Sequence, residues 1–301
     1  MPSWVYKFIP MALIWGSSFL FIELSLELTT ALGVAFWRTA LGAAAMAIIM
    51  VFLGVRLPST VKQWLHLWVA GLLMSALPFS LYAYAQQTST SILAAIINAT
   101  TPLFTLLAIL TLFRAQKQSS TAVIGLLIGV IGVGITLGVW QGFGENDPLA
   151  IVALILASVS YGIGAPYIRK YITPMDLPAT SAATVQVFTS AMTLLPFYVF
   201  TGPLFVATPR LETVGALVLL GVFGSGVAYW LFHQIVAEAN STIALTVTYT
   251  NPVIATFWGI LLLGEPLHWY EPVGGLFVLL GAYLTQAKPL LRVRKSKPDV
   301  G

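Results

Sequence analysis

Nine stretches of this sequence contain no Asp, Glu, Lys or Arg, and most of them are long enough to cross a bilayer. They are residues 8–22, 39–55, 63–113, 118–144, 148–168, 177–209, 213–237, 239–264 and 272–287. Only 8% of the 301 residues are charged, whereas soluble domains carry about 25%. Such a chain cannot cover a water-exposed surface, so we expect an all-α integral membrane protein.

A membrane-spanning helix needs about 20 mostly apolar residues, so the stretch 63–113 is too long for a single helix. It is divided by QQTSTS at residues 86–91, which is typical of a tight polar turn. The sequence therefore predicts ten transmembrane helices, near residues 6–24, 31–53, 64–86, 91–113, 120–140, 148–169, 178–200, 212–236, 241–263 and 270–287.

The positive charges predict an orientation. With the N-terminus inside, all but two of the 14 Lys and Arg residues lie at cytoplasmic helix ends or in the tail; the exceptions are Arg210, outside, and Arg38, within a helix. The positive-inside rule then places both termini in the cytoplasm, for a multi-pass protein of the cell's inner membrane. We interpret the basic tail, residues 289–301, as a topology signal near anionic lipid, and we expect no nucleic-acid partner.

The sequence repeats itself with an offset of 150 residues. STIALTVTYTNPVIATFWGILLL (241–263) aligns with SILAAIINATTPLFTLLAILTLF (91–113), and Pro252 falls on Pro102. Each half contains five predicted helices, and an odd number means that the second half enters the membrane from the opposite side. We therefore predict two inverted five-helix repeats, residues 1–143 and 144–288, followed by the tail.

The matched prolines indicate where a solute would bind. Proline has no backbone N–H, so Pro102 and Pro252 free the carbonyls of Asn98 and Thr248. At this depth a free carbonyl is tolerated only where protein or a wet cavity receives it. One interpretation is a midplane cavity between the repeats, and the alternative is a kink whose carbonyl a neighbouring Thr satisfies. The cavity interpretation predicts three substrate-binding residues: Asn98, Thr101 and Asn251.

Aromatic residues add to this candidate site. Trp15 and Ser18 share one face of the first helix, and Tyr161 is the counterpart of Trp15 in the second half. They could stack on an apolar or aromatic solute, or they could belong to the interfacial aromatic belt. Polar stripes on the third and eighth helices face either the cavity or a neighbouring helix. From these stripes we select Tyr82, Tyr229 and His233, the last as a proton carrier or a structural donor.

Arg38 is the one basic residue well inside a predicted helix. An intramembrane Arg is costly and is by default a functional candidate, here for a carboxylate. Two alternatives are an ion pair with Glu23 and a side chain that extends to the interface.

Gly125/Gly129 and Gly134/Gly138 have the spacing of close helix packing, within one chain or in a dimer. We expect packing within a monomer.

The sequence offers little for catalysis. It has no Cys, HExxH or P-loop, and its three His residues lie in separate helices. We therefore expect no catalytic residue, no metal and no cofactor, and a membrane-embedded enzyme is only a distant alternative. Every carboxylate in the sequence lies near the end of a predicted helix or outside the helices. This favours diffusion down a solute gradient over ion coupling.

Several segments together resemble the EamA-type members of the drug/metabolite transporter superfamily. They are IWGSSFLFIE, AFWRTALGA, NATTPLFTLL and NPVIATFWGILLLGEPL, in that order along nearly the whole chain. The LGE before the final Gly-rich helix is the most specific, although its first-half counterpart is FRA at 113–115. The resemblance implies ten helices in two inverted repeats and export of small metabolites.

Within that superfamily the sequence resembles amino-acid exporters of the YddG kind. The expected function is export of amino acids, including aromatic and apolar ones, by alternating access around a central cavity. The expected partners are this small-molecule substrate and the lipid bilayer. The alternative is a broader transporter of drugs or other metabolites such as nucleotide sugars. A nucleotide-sugar carrier would need several bilayer-facing Lys or Arg residues, and only Arg38 qualifies.

Overall fold

The computed structural model describes residues 3–113, 120–141, 147–201, 203–239 and 244–286. Every element within these ranges is helical. The α-helices are α1 (Ser3–Leu26), α2 (Ala31–Phe52), α3 (Val61–Gly71), α4 (Leu77–Ala85), α5 (Ser91–Asn98), α6 (Thr101–Thr111), α7 (Ser120–Thr136), α8 (Pro148–Tyr167), α9 (Ala179–Phe200), α10 (Leu211–Leu219), α11 (Ala228–Glu238), α12 (Asn251–Trp258) and α13 (Tyr270–Gln286).

Several of these helices join into membrane-crossing lengths. Wider π-helical turns follow α3, α8, α10 and α12, at Leu72–Ala76, Ile168–Ile172, Leu220–Val227 and Gly259–Leu263. Seven helical segments among the described residues are long and apolar enough to cross a bilayer: Ser3–Leu26, Ala31–Phe52, Val61–Ala85, Ser91–Thr111, Pro148–Met175, Ala179–Phe200 and Leu211–Glu238. Two shorter apolar helices are Thr121–Thr136 and Asn251–Leu263.

The chain is therefore a helical, multi-pass membrane protein, as the charge-free stretches predict. The tenth predicted helix corresponds to α13, which carries Glu271 in its first turn. Ten crossings in two inverted repeats stay a prediction. The expectations for the tail 289–301, and for the FRA segment beyond Phe113, lie outside the described residues.

Polar side chains begin several of the long helices. The hydroxyl oxygens of Thr30, Thr60 and Thr90 each accept a backbone N–H of the first turn, and Asp147 caps α8 in the same way. Such caps satisfy N–H groups that have no partner within the helix. They explain why these spans begin where short polar loops end.

The Asn-Pro and Thr-Pro segments break their helices as predicted. The fourth span divides into α5, ending at Asn98, and α6, which has Pro102 in its first turn. Pro252 likewise lies in the first turn of α12, after a tight 3₁₀ turn at Thr246–Tyr249. The Thr101 hydroxyl donates to the Asn98 carbonyl over 2.7 Å. For Pro102 the local alternative is therefore correct, because a neighbouring Thr satisfies the freed carbonyl.

Two helix contacts follow the repeat offset. A Cβ on Gly16 would lie 2.6 Å from the Cβ of Ile254, and a Cβ on Gly162 would lie 2.6 Å from the Cβ of Phe104. Gly162 is the counterpart of Gly16 at the offset of Trp15 and Tyr161, and Ile254 is 150 residues beyond Phe104. Both contacts therefore join a first helix of one half to the broken helix of the other.

The Gly-rich helices α7 and α13 are in backbone contact. A Cβ on Gly132 would lie 2.6 Å from the Val278 nitrogen, and one on Gly281 would lie 2.5 Å from the Gly129 nitrogen. Gly125 faces α13 as well, so the first predicted glycine pair packs within the chain. Gly134 of the second pair faces open space, with a nearest atom at 4.0 Å.

We expect Gly132→Ala to lower the Tm of the protein in detergent, because its methyl group would collide with a backbone atom that cannot move aside. Gly134→Ala is the matched control on the same helix. It should leave Tm unchanged or raise it slightly, since Ala stabilises a helix by about 0.5–1 kcal/mol over Gly. Equal Tm values for the two variants would contradict the tight α7–α13 contact.

Glu265 connects the end of the ninth span to the beginning of the fourth. Its carboxylate accepts the Ser91 N–H at 2.7 Å, the Ser91 hydroxyl at 3.0 Å and the Ile92 N–H at 3.2 Å. It follows Gly264, whose φ of +64° turns the chain at the helix end. The LGE motif therefore caps α5 from the other half of the chain.

Loss of this cap should be measurable as loss of stability. Glu265→Ala leaves two N–H groups at the beginning of α5 without their acceptor, which costs about 1–3 kcal/mol. Glu212→Ala, which removes only the exposed ion pair with Arg210 at 3.2 Å, is the control and should change little. Thermal melts of both variants test this, and an unchanged Tm for Glu265→Ala would argue against the cap.

Candidate functional site

A central cavity lies among α1, α2, α4, α5, α6, α8 and α12. Its wall contains eight of the ten residues selected from the sequence: Trp15, Ser18, Arg38, Tyr82, Asn98, Thr101, Tyr161 and Asn251. The two broken helices meet here, since α5 and α6 contribute Asn98 and Thr101 and α12 contributes Asn251.

Tyr229 and His233 do not line this cavity. The Tyr229 hydroxyl donates to the Met74 carbonyl, and the Nε2 atom of His233 lies 3.1 Å from the Gln186 Oε1 atom. Their prediction assumed a regular helix from Ser225 onwards, but the π-helical turn at Leu220–Val227 changes the spacing there. Both side chains bond to neighbouring helices instead, which was the alternative for this stripe.

Other wall residues were not selected from the sequence, although signals for some of them existed. Phe19 and Ile22 continue the face of Trp15 by one and two helical turns. Thr248 is the counterpart of Asn98 at the repeat offset, and Phe79 lies on the same stripe as Tyr82. Met74 and Leu245 gave no signal, because an apolar wall residue resembles any other apolar residue. The complete set missed from the sequence is Phe19, Ile22, Met74, Phe79, Leu245 and Thr248.

Arg38 is buried in the cavity wall without an acidic partner. Arg38 is only 3% exposed. Its Nε donates to the Ser225 hydroxyl at 3.1 Å, and its guanidinium carbon lies 3.4 Å from the centre of the Phe79 ring. Among the described residues no carboxylate lies within ion-pair distance of it. The predicted alternative of a pair with Glu23 is wrong, because Glu23 contacts Gln86 instead, at 3.4 Å.

Close backbone packing places Arg38 beside Ser225. A Cβ on Gly42, one helical turn after Arg38, would lie 2.9 Å from both the Gly221 carbonyl oxygen and the Ser225 Cβ. The missing side chain lets α2 approach the π-helical turn at Leu220–Val227. Among the described residues, the guanidinium forms one hydrogen bond, from its Nε to Ser225.

Amide side chains of both halves meet on another part of the wall. The Asn251 Nδ2 donates to Asn98 Oδ1 over 2.9 Å, and the Asn98 Nδ2 donates to the Tyr82 hydroxyl over 2.8 Å. The Asn251 Oδ1 is buried and accepts no hydrogen bond from the described residues. A buried acceptor of this kind is stabilised by any solute group that donates to it.

Aromatic rings form the remaining walls. The rings of Tyr82 and Tyr161 stack with their centres 6.1 Å apart, and the ring of Phe19 meets that of Tyr82 edge-on at 5.7 Å. Trp15 is held by a bond of 3.1 Å from its indole N–H to the Gly224 carbonyl. Such rings give an apolar solute group a rigid surface at low entropic cost.

The groups in the cavity wall can bind a small solute. No group of three or more His, Cys, Asp or Glu side chains with metal-binding geometry occurs in the described part of the chain. The cavity wall offers one cation, one unpaired acceptor and aromatic surfaces. These features can hold a small solute through a negative group, a donor group and an apolar body.

Comparison with known proteins identifies the kind of protein. The pattern of the EamA-like transporter family matches the chain twice, at residues 2–138 and 148–286. A transporter of Archaeoglobus fulgidus is 28% identical over 281 residues, covering 92% of this chain and 94% of its own. The inner membrane transporter YedA of Escherichia coli K12 is 27% identical, covering 93% and 91%.

Two further similarities agree. Protein PecM of Dickeya dadantii is 28% identical over 267 residues, covering 86% of each chain. One crystal structure aligns with a TM-score of 0.68 over 94% of this chain and 96% of its own, at 18% identity, which supports the fold alone. The motifs, the membrane helices and the double family match agree, and the chain belongs to the EamA-like transporter family as a multi-pass membrane transporter.

Proposed function

We propose that this transporter exports small metabolites, foremost amino acids, through the central cavity. The observation that carries the proposal is Arg38, a buried guanidinium in the cavity wall with no acidic partner. Burying a lone charge costs several kcal/mol, so a protein without a use for it would replace it. A solute carboxylate would supply the missing countercharge and bind the Nη1 and Nη2 atoms.

An amino acid also matches the rest of the wall. Its ammonium group can donate to the Asn251 Oδ1, which lacks a partner. An apolar or aromatic side chain can lie against Trp15 and Tyr161. Among the described residues that line the cavity, Arg38 is the one cation, so a nucleotide sugar with two phosphates would find a single positive charge there. This comparison favours amino acids over nucleotide sugars, while a broader range of drugs or metabolites is the second candidate.

Alternating access would use the two halves, residues 1–143 and 144–288, as inverted five-helix units that rock around the cavity. Two contacts support this proposal, Gly16 with Ile254 and Gly162 with Phe104. In each, the first helix of one half packs against the broken helix of the other half. Both termini, including the tail 289–301, would be cytoplasmic. The resemblance to known exporters supports the proposed outward direction of transport. None of the described residues that line the cavity is Asp or Glu, and we propose transport without proton coupling.

Uptake into proteoliposomes tests the proposal directly. We expect saturable uptake of radiolabelled L-phenylalanine or L-leucine without an imposed ion gradient, lost in Tyr161→Ala and weakened about 10-fold, but still measurable, in Asn251→Ala. Phenethylamine, which lacks the carboxylate, should compete about 10-fold more weakly than L-phenylalanine, since a charge-assisted bond contributes about 1.5–3 kcal/mol. Uptake no higher than in empty liposomes, from folded protein, would favour the drug or other-metabolite alternative.

Arg38→Met separates the function of the charge from a structural one. Replacing a buried charge by an apolar side chain of similar length is often neutral or stabilising by about 1–4 kcal/mol. We therefore expect a Tm equal to or above wild type in detergent, with uptake of L-phenylalanine lost. Arg210→Met, which removes an exposed ion pair with Glu27, should change neither. A marked fall in Tm for Arg38→Met would mean that Arg38 mainly holds the fold together.

A further inference from the structure

A chain of hydrogen bonds leads from the cavity wall to a backbone carbonyl behind it. It begins at Asn251, continues through Asn98 to the Tyr82 hydroxyl, and reaches the Ser158 hydroxyl at 3.1 Å. Ser158 ends the chain by donating to the Ile97 carbonyl, also at 3.1 Å. The four side chains are buried, and Ser158 is 0% exposed. Ser158 is not part of the cavity wall.

The last bond sets the direction of all the others. A carbonyl oxygen can only accept, so the single Ser158 hydroxyl proton points at Ile97. Ser158 must then accept from the Tyr82 hydroxyl, and Tyr82 must accept from Asn98. The atom of Asn98 nearest Tyr82 is therefore its Nδ2, and its Oδ1 is left to accept from Asn251. Every donor in the chain therefore points towards Ser158 and the Ile97 carbonyl.

This direction determines what the cavity presents to a solute. An amide has one accepting and one donating end, and Asn251 uses its donating end on Asn98. Its Oδ1 stays without a donor among the described residues. If the chain ran the other way, the same side chain would offer an N–H instead. The two orientations would select opposite solute groups at the same place.

We propose that Ser158 is a positioning residue that selects solutes carrying a hydrogen-bond donor, such as the ammonium group of an amino acid. It acts without touching the solute, by holding the Tyr82, Asn98 and Asn251 side chains in the orientation that leaves Asn251 Oδ1 free. This inference rests on the proposed function of the cavity, and it adds the origin of selectivity at its amide end.

Removing the Ser158 hydroxyl removes the group that fixes the direction of these hydrogen bonds. In Ser158→Ala the Tyr82 hydroxyl loses its acceptor, so it can donate to Asn98 only if that amide turns over. Asn98 then presents its Nδ2 to Asn251, which must turn over as well. The cavity would receive an N–H, which repels an ammonium group and suits a solute without one.

The test compares L-phenylalanine with 3-phenylpropanoate, which keeps the ring and carboxylate and lacks the ammonium group. Competition with labelled L-phenylalanine in proteoliposomes gives the preference of each variant for the amino compound. Wild type should prefer L-phenylalanine, and Ser158→Ala should reduce that preference about 10-fold or more, the effect of one charge-assisted hydrogen bond. Ser160→Ala is the control, because Ser160 lies on the same helix and donates only to the Leu73 carbonyl at 2.8 Å; it should keep the preference.

A second variant tests whether Ser158 acts through Asn251. Asn251→Leu removes the acceptor itself and should lower the preference as Ser158→Ala does. The double variant should then lose no more than Asn251→Leu alone, because the two changes remove one property. Losses of preference that add, or a preference unchanged in Ser158→Ala, would overturn the inference while uptake of L-phenylalanine persists. If wild type transports neither compound, the proposed function itself fails, and the inference fails with it.

Discussion

A bilayer offers no hydrogen bonds, so each polar group inside it must find a partner within the chain. Most do so locally: the hydroxyls of Ser18, Ser25 and Thr39 donate to carbonyls of their own helices. Against this background the groups without a partner are informative. Among the described residues, the buried atoms without one are Gln86 Oε1, Ser181 Oγ, the Tyr249 hydroxyl and Asn251 Oδ1. Asn251 lines the same cavity as Arg38, and the proposals for substrate and selectivity depend on these two residues.

The sequence was a good guide to where helices lie and where two of them break. Absence of charge locates apolar spans because the cost of burying charge in lipid does not depend on tertiary detail. The prolines at 102 and 252 located the breaks for an equally local reason. Arg38 and Asn98 could be selected because a polar side chain in an apolar span requires an explanation wherever it points.

The choice of partners could not be predicted in the same way. Arg38 could have reached Glu23 or Ser225, and only the close approach of α2 at Gly42 decides between them. Tyr229 and His233 look like cavity residues on a regular helix, but the widened turn before α11 directs them to Met74 and Gln186. Ser158 could not be selected from the sequence, because its role depends on the direction of a chain of hydrogen bonds through four side chains.

The contact between α7 and α13 has a mechanical consequence for the proposed rocking of the two halves. Backbone meets backbone at Gly132 and Gly281, with no side chain between them to compress or rotate. No side chain at this contact could move aside if the two helices slid past each other. If the two halves rock as proposed, we expect the α7–α13 contact to stay in register and to act as the fulcrum, with the larger displacements at the helices around Arg38 and Asn251.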